Sequence, residues 1–357
     1  MPRWTAQLSG AIVAEVVACE GLAYVASYRR LYAVDLKSGA TAWEFLPRGT
    51  RVAEDSGTNK ATPAVLGDRV FYADFSGIIY CLDRHSGGLV WEEDQIIASD
   101  DSLLVWKDRL FCKIARTSSS RLAPRNGYAC LSLDGQLLWA VASEGRVFTE
   151  CAALDGGNLI FGDGEGFAYG VGVEDGELTW KFDAKDHVAA DDWVGERKVS
   201  VHGAPFVVEG RVVMRAGSGR DLICLDSESG ELLWHYQAPA PVKNIACGGD
   251  FLYHTSHTGQ IFAVSTRTGV LAWSQRNDGH DLGDTAAHGG LVVGGLYLCG
   301  FNSSHRLAAF STEDGTVCWT FKKKGKGGFA ATPIFVERKL LVGADFGELY
   351  CFDSTDD

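Results

Sequence analysis

The chain has 357 residues, with 33 Lys and Arg against 46 Asp and Glu, a formal net charge of −13. That balance excludes a general nucleic-acid binder, which needs a broad basic face to displace counterions. An apolar fraction of 46% is enough for a large core, and 43 Gly with only 2 Met point to many turns and few helices.

The first residues, MPRWTAQLSG, have no basic region followed by an apolar core, and the next apolar run is broken by Glu15 and Glu20. No stretch reaches the length of a membrane span. A cytoplasmic protein without membrane contact is therefore expected. Beyond this start, apolar residues alternate or run in short blocks between Gly, Asp and Ser clusters, which reads as strand after strand. First strands of successive repeats are predicted near residues 15, 63, 103, 152, 205, 244, 290 and 333. The second repeat shows the grammar: strands over 62–67, 69–74 and 78–83, a turn ending in Gly87, and a fourth strand centred on Trp91.

A Gly stands four residues before a Trp in seven places: Gly39 and Trp43, Gly87 and Trp91, Gly135 and Trp139, Gly176 and Trp180, Gly230 and Trp234, Gly269 and Trp273, Gly315 and Trp319. The Gly suits a tight turn that needs positive φ. Four residues on, the Trp returns to one fixed face of the outer strand, where it can wedge between adjacent sheets. Burying it removes about 150–250 Å² from water, roughly 4–6 kcal/mol, most of which folding entropy takes back. Eight repeats with seven such pairs leave one fourth strand missing. The last repeat, over 332–353, ends after its third strand, and RWTAQ at the start, with Trp4, supplies the fourth. The expected fold is an all-β, single eight-bladed propeller spanning 1–357. Residues 1–8 complete blade 8, and closure removes the open edge. A closed ring needs no partner for stability, so a monomer is expected.

Four of the ten cysteines, Cys81, Cys130, Cys224 and Cys351, share one repeat position, which Ala33, Gly170, Ala263 and Ala309 fill in other copies. The position wants a small buried residue, and free Cys serves as one. Equivalent positions in neighbouring blades lie too far apart for a disulfide. No CxxC pair occurs, so a zinc site is not expected.

The blade endings LYAVDLKSGATAWEF (31–45) and LICLDSESGELLWHY (222–236) resemble the repeats of the pyrroloquinoline-quinone-like propeller family, and the resemblance covers essentially the whole chain. It is specific for fold and weak for function. The family includes quinone-dependent alcohol dehydrogenases, an outer-membrane assembly lipoprotein, and sensor domains attached to kinases. The dehydrogenases carry an adjacent Cys–Cys disulfide that packs on the quinone. This chain has no neighbouring Cys pair and no match to their calcium ligands, so no cofactor, pyrroloquinoline quinone included, is expected. The lipoprotein role is set aside for want of a lipobox, and the sensor role for want of a kinase or membrane segment.

Propeller topology sorts the links between strands. First-to-second and third-to-fourth links are short and share one face. The insertions, over 45–60, 115–127, 181–202 and 274–288, fall on the other face, where long loops more often carry function. The inner strands open onto that face near Glu15, Lys60, Asp101, Glu150, His202, Lys243, Asn244 and His288. Glu150 or His202 can act as general base with Asp101 beside them, and His288 as proton donor. Lys60, Lys243 and Asn244 can hold a ligand, as can Asp191, Asp192 and Trp193 from the longest insertion. No metal is assigned to this set. Each residue also has a plainer role, since channel mouths are polar because water fills them and Trp193 can anchor its own loop. KKKGKGG (322–328) reads first as a solvated loop and second as a local anion contact. No phosphate loop, nucleophile elbow or HExxH sequence is present. The expected function is a cytoplasmic propeller that binds a small ligand or protein partner at the long-loop face. The alternative is a cofactor-independent lyase, cyclase or hydrolase working by acid–base chemistry in the channel mouth.

Overall fold

The computed structural model describes residues 1–27, 30–48, 61–74, 76–96, 102–114, 126–147, 151–188, 191–193, 196–217, 219–242, 245–256, 260–276, 286–301 and 304–353. Among them are eight four-stranded antiparallel sheets and one two-stranded hairpin. The helical content there is a single 3₁₀ turn, Ala184–Asp186. Blade 5 shows the common plan: Val201–Val208 innermost, then Arg211–Ala216, Asp221–Asp226 and, outermost, Leu232–Gln237. First strands of successive blades touch one another, as Ala64–Leu66 touches both Val17–Cys19 and Leu104–Trp106, so they surround the propeller axis. Blade 8 draws its outer strand from the other end of the chain. Trp4–Gln7 pairs with Glu348–Asp353, and Arg3 forms a 3.0 Å ion pair with Asp353.

The Gly-to-Trp spacing has a two-part physical basis. In seven blades the ladder between third and fourth strands slips by one residue just before the Trp, a β-bulge that makes the preceding residue an extra one. In blade 5, Leu225 faces Leu232 while Cys224 faces Trp234, so Leu233 bulges out. The Gly serves not its own Trp but that of the preceding blade. A Cβ on Gly230 would lie 2.6 Å from the Trp180 ring, and one on Gly87 2.7 Å from Trp43. Each of these Gly also has positive φ, 73° and 70°. The seated indole then donates its N–H across the blade boundary, Trp180 to the Ser227 carbonyl at 3.1 Å and Trp43 to the Arg84 carbonyl at 2.8 Å. Trp4 closes the ring in the same way, against Gly39 and the Leu36 carbonyl. Trp319 faces blade 8, whose third strand ends the described chain, and packs edge-on against Phe352 instead.

The small repeat position is also explained. Ala33, Cys81, Cys130, Gly170, Cys224, Ala263, Ala309 and Cys351 each pair directly across the ladder from a Trp. At Gly170 even a methyl would sit 2.3 Å from the Trp180 indole. None of the ten cysteines forms a disulfide, and burial pushes the Cys130 and Cys224 thiols up to about 12.

The short-link face carries many acids, several of them consumed by turns. Asp83 and Asp226 each accept hydrogen bonds from the backbone N–H and hydroxyl of the Ser three residues on. Those bonds hold both carboxyls below the usual range.

Candidate functional site

The opposite face is built from second-to-third links and from the links between blades. Buried aspartates hold these links, and one of them fastens the two kinds together. Asp163, fully buried at the end of the strand Asn158–Gly162, accepts backbone N–H bonds from Glu165 and Phe167 of its own link, each at 3.0 Å. It also accepts the Gly145 N–H of the link from blade 3 at 2.9 Å and the Tyr169 hydroxyl at 2.8 Å. Asp74 holds its own link in the same way within blade 2, accepting from Ser76, Ile78 and Tyr80. Both lie in the spacing Asp-x-x-Gly-x-x-Tyr, as Asp74, Gly77, Tyr80 and Asp163, Gly166, Tyr169. The glycines take φ of 88° and 89°. This signal is present in the sequence and escapes a search for blade period, because it marks loop anchoring.

Of the residues expected at the channel mouth, His202 lies in the innermost strand of blade 5. It starts a bulge in which the ladder resumes only at Phe206, and its Nδ1 lies 3.2 Å from the Ser200 hydroxyl. Behind it, Gly203 (φ 75°) leaves room for the Arg215 guanidinium, which a Cβ there would meet at 2.2 Å. The Ser200 hydroxyl and the Gly219 turn flank His202, with Arg215 opposite it in the ladder. Glu15 is open to solvent yet hemmed in by neighbouring blades, and desolvation pushes its carboxyl above the usual range. Its backbone N–H donates to the Thr62 hydroxyl of the next blade at 3.2 Å. Lys60, Asp101, Glu150, Lys243 and Asn244 lie outside the described residues. His288 lies in the strand Ala286–Val293, within a bulge that mirrors the one at His202. Asp191, Asp192 and Trp193 form a strand paired with Glu196–Lys198 in a small hairpin within the longest insertion.

KKKGKGG is only in part a solvated loop. Lys323 is buried, its ammonium 3.0 Å from the Glu348 carboxylate and 2.6 Å from the Lys326 carbonyl. Lys322, Lys324 and Lys326 stand exposed around it.

The family model described as "Outer membrane protein assembly factor BamB" matches residues 1–118 and 125–288. A relative with that name from Yersinia pestis is 24% identical over 298 residues, 80% of this chain and 69% of its own. The crystal structure of BamB from Moraxella catarrhalis superposes with a TM-score of 0.72 at 15% identity, covering 99% of both chains. The quinohemoprotein alcohol dehydrogenase from Comamonas testosteroni gives 0.71 at 12% identity, covering all of this chain and 77% of that one. The likeness of fold to the quinone-type propellers therefore holds. Two expectations do not. Relatives spanning 80% of the chain are named outer membrane protein assembly factors, which overturns both the cytoplasmic location and the function as a cytoplasmic ligand-binding propeller or acid–base enzyme. The first ten residues do not decide location, and polar side chains at channel ends do not by themselves amount to chemistry.

Proposed function

The chain belongs to the BamB family of outer membrane protein assembly factors, and on that premise we propose that it is a protein-docking propeller acting in the assembly of outer membrane proteins. The family match over 1–118 and 125–288 is the observation that carries the proposal. The partner surface is the long-loop face. Insertions concentrate there, the longest carries the hairpin Asp191–Trp193 with Glu196–Lys198, and Asp163 fixes two of the links, at Gly145 and at Glu165 and Phe167, before any partner arrives. A surface ordered in advance loses less entropy on docking. The Trp-locked blades supply the rigid frame.

The proposed role needs no quinone. No two of the ten cysteines are adjacent, and among the described residues no three His, Cys, Asp or Glu side chains are grouped as metal ligands.

The test is isolation of a tagged chain from crosslinked, detergent-solubilised envelopes of its host. Recovery of the β-barrel assembly machinery, lost when the hairpin 191–198 is replaced by a short Gly-Ser link, is the predicted result. Recovery of none of its components would contradict the proposal.

A further inference from the structure

Four lysines within five residues are unexpected in a chain of net charge −13. Their setting is built, not loose. The run leaves the outer strand of blade 7, Val317–Lys322, and turns through Gly325 and Gly327, with φ of 89° and 67°. Lys323 anchors it from inside, through Glu348 and the Lys326 carbonyl. Gly328 donates its N–H to Asp345 at 2.8 Å, and Phe329 bridges to Ala344, which fastens the run to the second-to-third link of blade 8.

On that link Phe346 lies directly over Gly327. A Cβ on Gly327 would meet the ring at 2.6 Å, so the glycine is the seat of the phenyl group. The ring is still 55% exposed. Its backbone is held by Gln7, whose amide donates to the Phe346 carbonyl at 2.7 Å. Lys322, Lys324 and Lys326, in the run whose Gly327 seats the ring, are exposed, and none forms an ion pair with a carboxylate among the described residues. Arg306 sits directly opposite Lys322 in the ladder. Like charges across a ladder are destabilising, so fold stability accounts for Lys323 but not for the exposed pairing of Lys322 with Arg306.

We propose that this basic corner, with its exposed phenyl group, docks an acidic segment of a partner protein that lays an apolar or aromatic side chain against Phe346. The inference rests on the protein-docking role proposed above and names the chemistry of one partner segment. Charge complementarity selects the occupant. An anionic membrane or a nucleic acid is broad enough to bring the acidic surface beyond this corner of a −13 chain within range as well. A short acidic peptide meets only charges within a Debye length, about 8 Å at physiological salt. The exposed ring adds an apolar anchor of the kind that dominates small interfaces.

The probe is a short fluorescein-labelled peptide of alternating Asp and Glu around one central Trp, with a second peptide bearing Ser in place of the Trp. Binding is followed by anisotropy against salt. The Trp peptide should bind at low salt and weaken as salt rises. Lys324→Glu with Lys326→Glu should weaken it about tenfold or more. Phe346→Ala should weaken the Trp peptide toward the Ser peptide and leave the Ser peptide unchanged. All these side chains are exposed, so circular dichroism and the unfolding midpoint should match wild type. Equal binding by wild type and the charge-reversed variant would overturn the inference. So would equal affinity for the two peptides, or binding to phosphatidylglycerol vesicles in place of the peptides. If neither peptide binds while envelope isolation still recovers the assembly machinery, this corner is excluded and the docking role stands.

Discussion

Gly230 and Gly210 of blade 5 form a matched pair that isolates what seats the tryptophans. Both have the same left-handed backbone, φ 73° and 72°. A Cβ on Gly210 would meet nothing within 4 Å, whereas one on Gly230 would lie 2.6 Å from the Trp180 ring. Gly210→Ala therefore carries only the backbone cost, about 1–2 kcal/mol. Gly230→Ala carries that cost plus the displacement of a packed indole, about 1–3 kcal/mol more. It also stretches the hydrogen bond from Trp180 to the Ser227 carbonyl. Urea unfolding followed by circular dichroism should place Gly230→Ala about 1–3 kcal/mol below Gly210→Ala. Equal stabilities would refute the seat: positive φ alone would then explain the recurrent spacing, and the inter-blade contact would be incidental.

Three other outcomes follow from the same structure. Asp163→Ala leaves three backbone N–H groups and the Tyr169 hydroxyl without their acceptor; it should cost about 3–5 kcal/mol in urea unfolding, and a loss near zero would remove the clamp from the account. His254 is fully buried, stacked on Phe262 at 4.7 Å and beside Tyr236, and desolvation lowers its pKa from 6.5 to about 4. The neutral form is favoured by folding, so its contribution is full above pH 6.5 and is lost as pH falls from 6.5 through 4. Over that window wild type should lose about 3 kcal/mol that His254→Phe retains, and parallel pH profiles would contradict this. Pyrroloquinoline quinone added with calcium should leave the unfolding midpoint unchanged; a dose-dependent rise would show a quinone site.

Blade number and ring closure were legible because the repeat is enforced locally: a positive-φ turn followed by a bulge always places the next Trp four residues on. What that Trp touches was not legible, because its seat lies in the next blade. Trp43 reaches the Arg84 carbonyl and Gly87, and no pattern within one repeat separates own Gly from neighbour's Gly. The Asp clamp recurs at Asp74 and Asp163, too sparsely to stand out beside the Gly-Trp period. Lys323 looked like its neighbours because a charge run says nothing of burial. Its fate depends on Glu348, brought beside it by blade 8. Location and role were illegible for a deeper reason. The repeated residues encode how blades stack, and stacking is common to propellers with unrelated tasks.

The most direct test of the central claim is the amount of folded β-barrel protein in the outer membrane of a host lacking this gene, read from heat-modifiable gel mobility and quantified against wild type. The proposed role predicts a fall that the wild-type chain restores and a chain lacking the hairpin 191–198 does not. Unchanged barrel levels in the deletion strain would contradict a role in outer membrane protein assembly.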